Sequence, residues 1–308
     1  MSNNESYTTE EISNLLKVSK LTVYDLIKKG ELQAYRVGRQ MRVDASELEN
    51  YKVRGREVKT SPSQQNSEEQ DCNASIRSII ISGQDNSLDM LARQLEMRTN
   101  DFRPLRSYVG SLDSLIAMYK GNADIVSTHL FDGDTKEYNV SYIRKLLVSK
   151  SFIVVQFIRR QAGLYVAKGN PKKISTWMDL GNANVTIVNR ESGAGARVLL
   201  DEQLRLHGIS REEVNGYENE QTSHLSIASV VANGGADVGI GIEQAAKWAN
   251  IDFVPMIKES YDLVMLKSEQ NEKLNSTVLD ILNDPNFTEK LDSLGYDIEG
   301  IGNIIWEH

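Results

Sequence analysis

The chain has 308 residues, of which 40% are hydrophobic and 25% charged, and its formal net charge at pH 7 is −8. This composition is typical of a globular protein and excludes a mostly disordered chain, a collagen-like chain and a coiled-coil rod, while the length allows two or three domains. A single cysteine excludes an intrachain disulfide and a cysteine-built zinc or iron–sulfur site.

Basic residues are concentrated in the first part of the chain. Residues 1–60 carry 11 Lys and Arg against 9 Asp and Glu, whereas residues 61–308 carry 24 against 34. A basic head on an acidic body indicates that only the head contacts nucleic acid. No apolar run reaches the ~20 residues that a membrane-spanning helix needs, and the first residues lack the pattern of a secretory signal. We therefore expect a soluble, cytoplasmic protein with no membrane partner.

The first elements predict a helix-turn-helix. Thr8 and Glu11 have the spacing of a capping box, which begins a helix whose apolar face includes Ile12. Ser19 can cap a second helix over residues 20–29, and Gly30 suits the position that ends it. Two short helices joined by a brief turn form the helix-turn-helix arrangement.

A basic hairpin is predicted next. Apolar residues alternate from Leu32 to Val43 on both sides of Gly38, which predicts two strands joined by a turn. Arginines recur along this hairpin at Arg36, Arg39 and Arg42. Asp44 can then cap a third helix that ends near Tyr51.

This first segment, YTTEEISNLLKVSKLTVYDLIKKGELQAYRVGRQMRVDASELENY, resembles the excisionase-like winged helix-turn-helix domain, which is related to the MerR group. The resemblance implies that the second helix enters the major groove and that the hairpin arginines contact phosphates or the minor groove. The candidate DNA-binding residues are Ser19, Lys20, Thr22, Tyr24, Lys28, Arg36, Arg39 and Arg42. Because one small module makes few phosphate contacts, we expect a homodimer on a two-part operator in double-stranded DNA.

A linker separates the head from the body. Residues 53–75 lack periodic apolar residues and are rich in Ser, Gln, Asn and Glu, a composition typical of flexible linkers. Cys72 lies here, and we interpret it as an unpaired thiol. The predicted domains are a DNA-binding head at 1–52, the linker at 53–75 and a ligand-sensing body at 76–308.

The body alternates short apolar strands with amphipathic helices. Strands are predicted at 78–82, 123–127, 151–157, 163–167, 185–189 and 237–240, and helices at 87–97, 112–119, 196–206 and 223–232. This alternation predicts an α/β fold with mainly parallel sheets. Since the body is large for one sheet, we expect two lobes, the second at about 168–250.

Three polar loops each join a predicted strand to a helix, at residues 82–87, 109–113 and 189–197. Such loops present backbone N–H groups at the positive end of a helix, where an anion is stabilised. Each loop could also be an ordinary turn. Together, however, they come from two lobes and could bridge one ligand. Arg190 and Arg197 add positive charge, unless they hold the loop through an acidic residue.

Six segments in order between Gly110 and Val264 carry a second resemblance. They read GSLDSLIAMYKGNADIVSTHL, EYNVSYIRKLL, RRQAGLYVAKGNP, VNRESGAGARVLLDEQL, VVANGGADVGIGIEQAA and DFVPMIKESYDLV. They resemble the periplasmic-binding-protein-like domain attached to helix-turn-helix heads, which is related to the C-terminal part of some molybdopterin biosynthesis proteins. The resemblance implies a two-lobed, type-II-like fold that closes on a small ligand, and relatives of this shape bind oxyanions such as molybdate and tungstate.

The sequence departs from the family pattern at two positions. Ala196 stands where Thr is frequent, and Asp113 stands where Gly is common. The family pattern also places the loop that contains Glu243 at the cleft. The candidate ligand-binding residues are Ser82, Gly83, Gly110, Ser111, Arg160, Arg190, Ser192, Gly193, Ala194, Gly195, Arg197 and Glu243. The spacing of the histidines predicts no metal site, and no nucleophile–base pair predicts a catalytic residue.

The sequence thus predicts an α/β protein with an N-terminal winged helix-turn-helix and a two-lobed type-II periplasmic-binding-protein-like domain. We expect a one-component transcriptional regulator, not an enzyme, whose effector is a small anion, molybdate or tungstate, with no cofactor. Three alternatives stay open. They are an enzyme or chaperone of molybdopterin-cofactor chemistry, a sensor of a small organic ligand, and an architectural or recombination accessory protein.

Overall fold

The computed structural model describes residues 6–16, 20, 23, 26–27, 32, 34–37, 40–45, 47–48, 51 and 76–308. Contacts divide the chain into two compact units, Met1–Cys72 and Asn73–His308. The predicted linker, with Cys72, lies outside the described residues. Among the residues described, no helix is long and apolar enough to cross a membrane.

The first unit contains the predicted capping box and hairpin. Strand β1 (Ser6–Thr8) precedes helix α1 (Thr9–Leu16), and strands β2 (Tyr35–Val37) and β3 (Gln40–Asp44) form the antiparallel hairpin. The sheet order is β1-β3-β2. The N–H of Thr8 donates to Glu11 Oε2 at 2.8 Å, and the N–H of Glu11 donates to Thr8 Oγ1 at 3.3 Å, which confirms the capping box.

The small core of this unit joins all of its predicted elements. It contains Ile12 from α1, Val43 from β3, and Val23, Leu32 and Leu48. Residues 20, 23, 26 and 27 of the predicted second helix are helical, as are residues 45, 47, 48 and 51 of the predicted third. The described part of the head therefore agrees with a winged helix-turn-helix.

The second unit begins with the first lobe of a two-lobed α/β structure. In chain order its elements are β4 (Arg77–Ser82), α2 (Ser87–Arg98), β5 (Phe102–Ser107), α3 (Ser111–Tyr119), β6 (Ile125–Thr128), β7 (Phe131–Asp132), β8 (Glu137–Tyr138) and α4 (Val140–Leu146). The chain returns to this lobe at the end, with α8 (Glu272–Leu282), α9 (Pro285–Ser293) and β14 (Ile304–Glu307).

Two long strands connect the lobes, β9 (Phe152–Val166) and β13 (Asp252–Leu266). Between them the second lobe contains β10 (Ile187–Arg190), α5 (Gly195–Leu206), β11 (Glu220–Gln221), α6 (His224–Ala232), β12 (Val238–Ile242) and α7 (Glu243–Ala249). The strands predicted at 151–157 and 163–167 are thus one strand. The polar residues between the two predicted strands do not interrupt β9, because they pair with residues of β13. Arg160, for example, is directly opposite Glu259.

All of these strands except the β7–β8 hairpin form one nine-stranded sheet, with the order β11-β10-β12-β9-β13-β6-β4-β5 and with β14 beside β9. The pairs β4–β5, β4–β6, β10–β11 and β10–β12 are parallel. The expectation of mainly parallel sheets is wrong for the centre. There β9 pairs antiparallel with β12, β13 and β14, because the chain enters the second lobe along β9 and returns along β13.

Helices cover both faces of each half of this sheet. In the first lobe, Leu91 and Phe287 pack on one face, whereas Leu115 and Ile143 pack on the other. In the second lobe, α5 covers one face, and α6 and α7 cover the other. This layering leaves the starts of several helices at the junction of the two lobes, where the long strands pass from one lobe to the other.

One buried carboxyl on β13 is incompletely satisfied. Asp262 Oδ2 accepts a hydrogen bond from Asn139 Nδ2 at 2.6 Å, while its Oδ1 is buried and has no hydrogen-bond partner among the described residues. Burial raises the pKa of Asp262 to about 7, although the bond from Asn139 acts in the opposite direction. The ionised form of this side chain therefore destabilises the fold.

We predict that Asp262→Asn reduces the pH dependence of folding. Because the pKa is raised in the folded state, the contribution of the protonated carboxyl is complete below its ordinary value of 3.8 and is lost as the pH rises through about 7. The variant should gain about 1–4 kcal/mol over the wild type at pH 8 and little at pH 4.5. Urea unfolding at both pH values measures this. Asp280→Asn, at an exposed helical carboxylate, serves as the control, and an equal gain at both pH values would contradict the prediction.

Candidate functional site

A cavity of about 710 Å³ lies where the two lobes meet. First-lobe residues that line it include Gln84, Asp85, Tyr108, Gly110, Ser111, His129 and Tyr296, and second-lobe residues include Arg190, Glu191, Thr222, His224, Leu225, Glu243 and Trp248. Arg160 and Tyr261 line it from the two connecting strands. A cavity of this size between lobes is typical of small-molecule binding sites.

Four helices begin at this cavity. Its lining includes Asn86 before α2, Gly110 before α3, Ser223 before α6 and Ile242 before α7. The positive ends of the helix dipoles therefore converge on one space, which favours a negatively charged group there. Two of these helices belong to each lobe. The two expected first-lobe starts are among them, but the expected second-lobe start, before α5, is not, and the starts of α6 and α7 lie at the cavity instead.

A buried ion network lies behind the cavity, where the paired strands β9 and β13 pass from one lobe to the other. Arg160 donates from Nη1 to Asp85 Oδ2 at 2.5 Å and from Nε to Glu259 Oε1 at 2.8 Å, and its Nη2 also donates to Glu259. His129 Nδ1 lies 3.1 Å from the second oxygen of Glu259. The guanidinium is stacked over Tyr261 at 4.2 Å. Each nitrogen of Arg160 thus already has a carboxylate partner.

The network fixes the charge states of its members. Burial alone would raise the pKa of Asp85, but Arg160 and hydrogen bonds from Ser87 and Tyr296 lower it overall. Burial alone would also raise the pKa of Glu259, but attraction to Arg160 together with the interaction and hydrogen bond with His129 lowers it overall. Burial also raises the pKa of Tyr261 to about 12. The network is therefore a paired cluster of charges and not a free cation site.

Arg190 differs from Arg160. Its Nε and Nη2 donate to Glu191 at 2.8 and 2.7 Å, and Nη2 also donates to Gln84 Oε1 and to the carbonyl of Thr222. Its Nη1 has no hydrogen-bond partner among the described residues, and the side chain lines the cavity. Burial lowers the pKa of His224 well below 6.5, so this second lining residue is neutral. Arg190 is therefore the lining cation best placed to reach a ligand.

The structure brings half of the predicted ligand residues to this cavity. Gly83, Gly110, Ser111, Arg160, Arg190 and Glu243 line it, whereas Ser82, Ser192, Gly193, Ala194, Gly195 and Arg197 do not. Ser82 is buried one residue earlier, where its Oγ lies 2.8 Å from Ser114 Oγ. The alternation of side chains along β4 directs it towards α3 and away from the lobe junction.

Gly193 and Gly195 of the third predicted loop lie in a contact between the lobes and do not line the cavity, whereas Arg190 of the same loop does. The carbonyl of Gly193 accepts a hydrogen bond from the N–H of Leu112 at 3.0 Å. A Cβ added to Gly195 would lie within 2.7 Å of the His129 ring. These residues meet protein atoms of the other lobe, which corrects their expected place around a ligand. Asp113, the unusual acid of the second loop, faces Gly193 in this contact.

Arg197 also has a structural position. It donates to Glu220 at 2.9 Å and to the carbonyl of Arg190 at 3.0 Å, and it is stacked over Tyr217 at 4.1 Å. It lies 3.3 Å from Asp201, one turn further along α5. Its charge therefore holds β10, β11 and α5 together, which is the alternative that the sequence had left open.

Several lining residues were not predicted from the sequence. Tyr108 follows β5 and His224 begins α6, whereas Trp248 lies near the end of α7, and none of the three belongs to the polar loops singled out in the sequence. Glu259 could have been found by pairing the two long strands, since it is directly opposite Arg160. That pairing depends on recognising β9 and β13 as neighbours. No group of three or more metal-ligating side chains occurs within the described part of the chain.

The DNA-binding predictions concern the first unit, and the structure describes three of those residues. Ser19, Thr22, Tyr24, Lys28 and Arg39 lie outside the described residues. Lys20 Nζ lies 2.8 Å from Glu10 Oε2 in an exposed pair. Arg42 donates to the carbonyl and the hydroxyl of Ser6 at 3.3 and 3.1 Å, so it also holds β1. Arg36 lies on β2, opposite Met41.

Comparisons with known proteins identify both units. Residues 92–283 match the family described as PBP superfamily domain, and residues 6–55 match a helix-turn-helix domain. The uncharacterized protein YvgK of Bacillus subtilis (strain 168) is 49% identical over 313 residues, which cover 100% of both chains.

Two solved structures share the fold. An H₂O₂-bound OxyR mutant from Corynebacterium glutamicum has a TM-score of 0.52 at 10% identity, covering 93% of this chain and 89% of its own. An ABC-type phosphate transport receptor from Vibrio cholerae has a TM-score of 0.50 at 16% identity, covering 72% of this chain and 99% of its own. At these identities the likeness concerns the fold alone.

We predict that Gly110→Ala loosens the contact between the lobes. The added Cβ would lie 2.8 Å from the carbonyl oxygen of Gly193 and 3.0 Å from two backbone atoms of Ala194, and backbone atoms cannot rotate away. The Leu112 N–H should then exchange with deuterium several-fold faster, as measured by mass spectrometry of the α3 peptide.

Gly181→Ala is the matched control, because its Cβ meets only the flexible side chain of Ile209, at 3.3 Å or more. It should leave exchange in α3 unchanged. Identical exchange in wild type and Gly110→Ala would show that the lobes do not depend on this close approach.

Proposed function

The chain belongs to the PBP superfamily domain family and carries a helix-turn-helix domain, and from this premise we propose that it is a one-component transcriptional regulator. Its head binds double-stranded operator DNA, and its body binds a small anionic effector at the lobe junction. The observation that carries this proposal is the convergence of four helix starts and Arg190 on one cavity. Both domains suit a cytoplasmic protein that binds its effector without converting it.

Molybdate and tungstate are the first effector candidates, and they follow from the family resemblance. The helix starts and the hydroxyl of Ser111 supply neutral hydrogen-bond donors suited to an oxyanion. A tetrahedral oxyanion occupies roughly 120 Å³, taking about 30 Å³ for each oxygen as for water. It would therefore fill only a small part of the 710 Å³ cavity.

The lining charges favour a second candidate, a larger organic anion. Four acidic residues, Asp85, Asp113, Glu191 and Glu243, line the cavity against three basic ones, Arg160, Arg190 and Lys247. Arg160 is paired with Asp85 and Glu259, and Lys247 lies 3.1 Å from Glu243. Arg190 is paired with Glu191 at 2.7 Å but keeps Nη1 without a partner among the described residues. A compact dianion would find little net positive charge here, whereas an organic molecule with one anionic group would need only this one N–H donor group.

We propose that effector binding acts through closure of the lobes in a homodimer. A side-chain bridge already joins the lobes, because Gln84 contacts both Arg190 and Glu191. A ligand that touches Arg190 would change this bridge directly. A tenfold change in operator affinity requires that the effector favour one lobe arrangement by ~1.4 kcal/mol.

Thermal unfolding with an anion panel tests the effector proposal. Molybdate or tungstate at about 100 times its dissociation constant should stabilise the body by about 2.7 kcal/mol, or about 5–10 °C in Tm. Ser111→Ala should reduce this gain, whereas Ser192→Ala should keep it, because exposed Ser192 does not line the cavity. Phosphate and sulfate serve as ion controls. Stabilisation by organic anions alone would reject the oxyanion candidates, and stabilisation by no anion would reject the anionic effector.

The contribution of the head is tested by the salt dependence of DNA binding. Lys20→Ala should weaken binding to a fluorescent duplex and reduce the slope of log K against log salt by about 1, because one phosphate contact is lost. The exposed Lys20–Glu10 pair contributes at most about 1 kcal/mol, so DNA can displace Glu10.

Glu10→Ala provides the matched comparison. It removes the carboxylate that competes with a DNA phosphate for Lys20, so it should maintain or strengthen DNA binding. An unchanged slope for Lys20→Ala would remove this side chain from the DNA interface. The same assay on a duplex selected from a random library, with and without a stabilising anion, measures whether the effector alters DNA affinity.

A further inference from the structure

The mouth of the cavity is unusually apolar. Four large side chains that line it are substantially exposed: Tyr108 at 60%, Leu294 at 55%, Leu225 at 45% and Trp248 at 58%. Tyr108 and Leu294 belong to the first lobe, and Leu225 and Trp248 belong to the second. Exposed apolar side chains gathered at one site, and not scattered singly, are typical of binding surfaces.

Tyr108 is held as a rigid platform. Its hydroxyl donates to Asp89 Oδ1 at 2.9 Å, and the Arg106 guanidinium lies 4.7 Å from its ring centroid. Arg106 is itself fixed, since it donates to Asp89 at 2.7 Å and to the carbonyl of Ile81 at 2.8 Å. The hydrogen bond to Asp89 raises the pKa of the phenol, so it stays protonated as the donor. The Arg106 guanidinium thus lies over one face of the ring, while Tyr108 remains 60% exposed.

Trp248 presents a second aromatic surface from the opposite lobe. It lies on α7, and its indole has no hydrogen bond or ring contact with any residue that the structure describes. A tryptophan exposed to this degree leaves a large apolar area in water, which is unfavourable unless a partner covers it. Because Tyr108 and Trp248 belong to different lobes and line the same cavity, a ligand that contacts both rings would bridge the lobes.

The deeper wall is polar by contrast. Arg190 is buried and keeps one nitrogen without a partner among the described residues, and it lines the same cavity as the helix starts. The cavity therefore has an apolar, aromatic mouth and a wall that favours negative charge. Its volume of about 710 Å³ lies within the range that accommodates drug-sized organic molecules.

We propose that the effector is an organic anion with a planar ring, whose ring lies between Tyr108 and Trp248 and whose anionic group lies at Arg190. This inference rests on the proposed anion-binding function and names the chemical class of the ligand. A flat ring can stack on both aromatic side chains when the lobes close, so the apolar group favours the closed arrangement. A bare tetraoxyanion reaches only the polar wall and leaves both rings exposed.

Isothermal titration calorimetry with matched probes tests the proposal on the full chain. The probes are molybdate and inorganic phosphate, which have no ring, and benzoate, phenyl phosphate and 1-naphthalenesulfonate, which have one. We expect at least one ring-bearing anion to bind ten or more times tighter than either inorganic ion. Phenyl phosphate and inorganic phosphate give the most direct comparison, because only phenyl phosphate carries a ring.

Variants locate the ring. Trp248→Ala and Tyr108→Ala should each weaken the binding of the ring-bearing anion by about 5- to 100-fold, the range found when a stacking aromatic residue is removed. They should leave the affinity for inorganic ions unchanged. Trp248→Phe should restore much of the binding. Tyr119→Ala, at an exposed aromatic residue outside the cavity, should have no effect.

The outcomes separate this inference from the function on which it rests. If the inorganic ions bind and a ring gives no advantage, the ring-bearing effector is rejected while the anion-responsive regulator stands. The ring-bearing effector is also rejected if ring-bearing anions bind to Trp248→Ala and Tyr108→Ala as tightly as to the wild type. If no probe of either kind binds, both the proposed anion site and this inference fail.

Discussion

The body depends on the charge of Arg160, which is buried where the two connecting strands pass from one lobe to the other. Asp85, Glu259 and His129 surround it, and they come from the first lobe and from β13. Removing one member of such a cluster leaves an uncompensated buried charge, at a cost of about 3–5 kcal/mol. The cluster also fixes the loop after β4 and the segment after β6, so the lining of the cavity on the first lobe follows from it.

Pairing of Arg160 with two carboxylates determines how the site recognises charge. A cation that is already neutralised attracts an anion weakly, so in the proposed site the attraction would come from the helix dipoles and the partly free guanidinium of Arg190. Arg190 is also in the bridge through Gln84 between the lobes. The side chain that would contact the proposed anion therefore also belongs to the bridge between the lobes, which is what a ligand-responsive protein requires.

The sequence predicted structural features well where the interacting residues are close together in the chain. The Thr8–Glu11 capping box needs only four residues, and the structure confirms it. The helix starts at Gly110 and Ser223 are similarly local. The predictions differed from the structure where distant segments meet. The segment 189–197 has the glycines of an anion loop, yet the carbonyl of Gly193 accepts the Leu112 N–H from the other lobe.

By itself, the sequence determined the two kinds of domain through its family resemblances. It also determined the order of most strands and helices and the first-lobe helix starts at the cavity, because periodicity, caps and glycines act over a few residues. Only the tertiary structure decided that β9 and β13 are antiparallel neighbours, that every nitrogen of Arg160 is paired while Arg190 keeps Nη1 without a partner among the described residues, and that Tyr108 and Trp248 line one cavity. The reason is physical: charge pairing, burial and shared lining depend on which side chains become neighbours, and residues such as Asp85 and Arg160 are 75 positions apart in the chain.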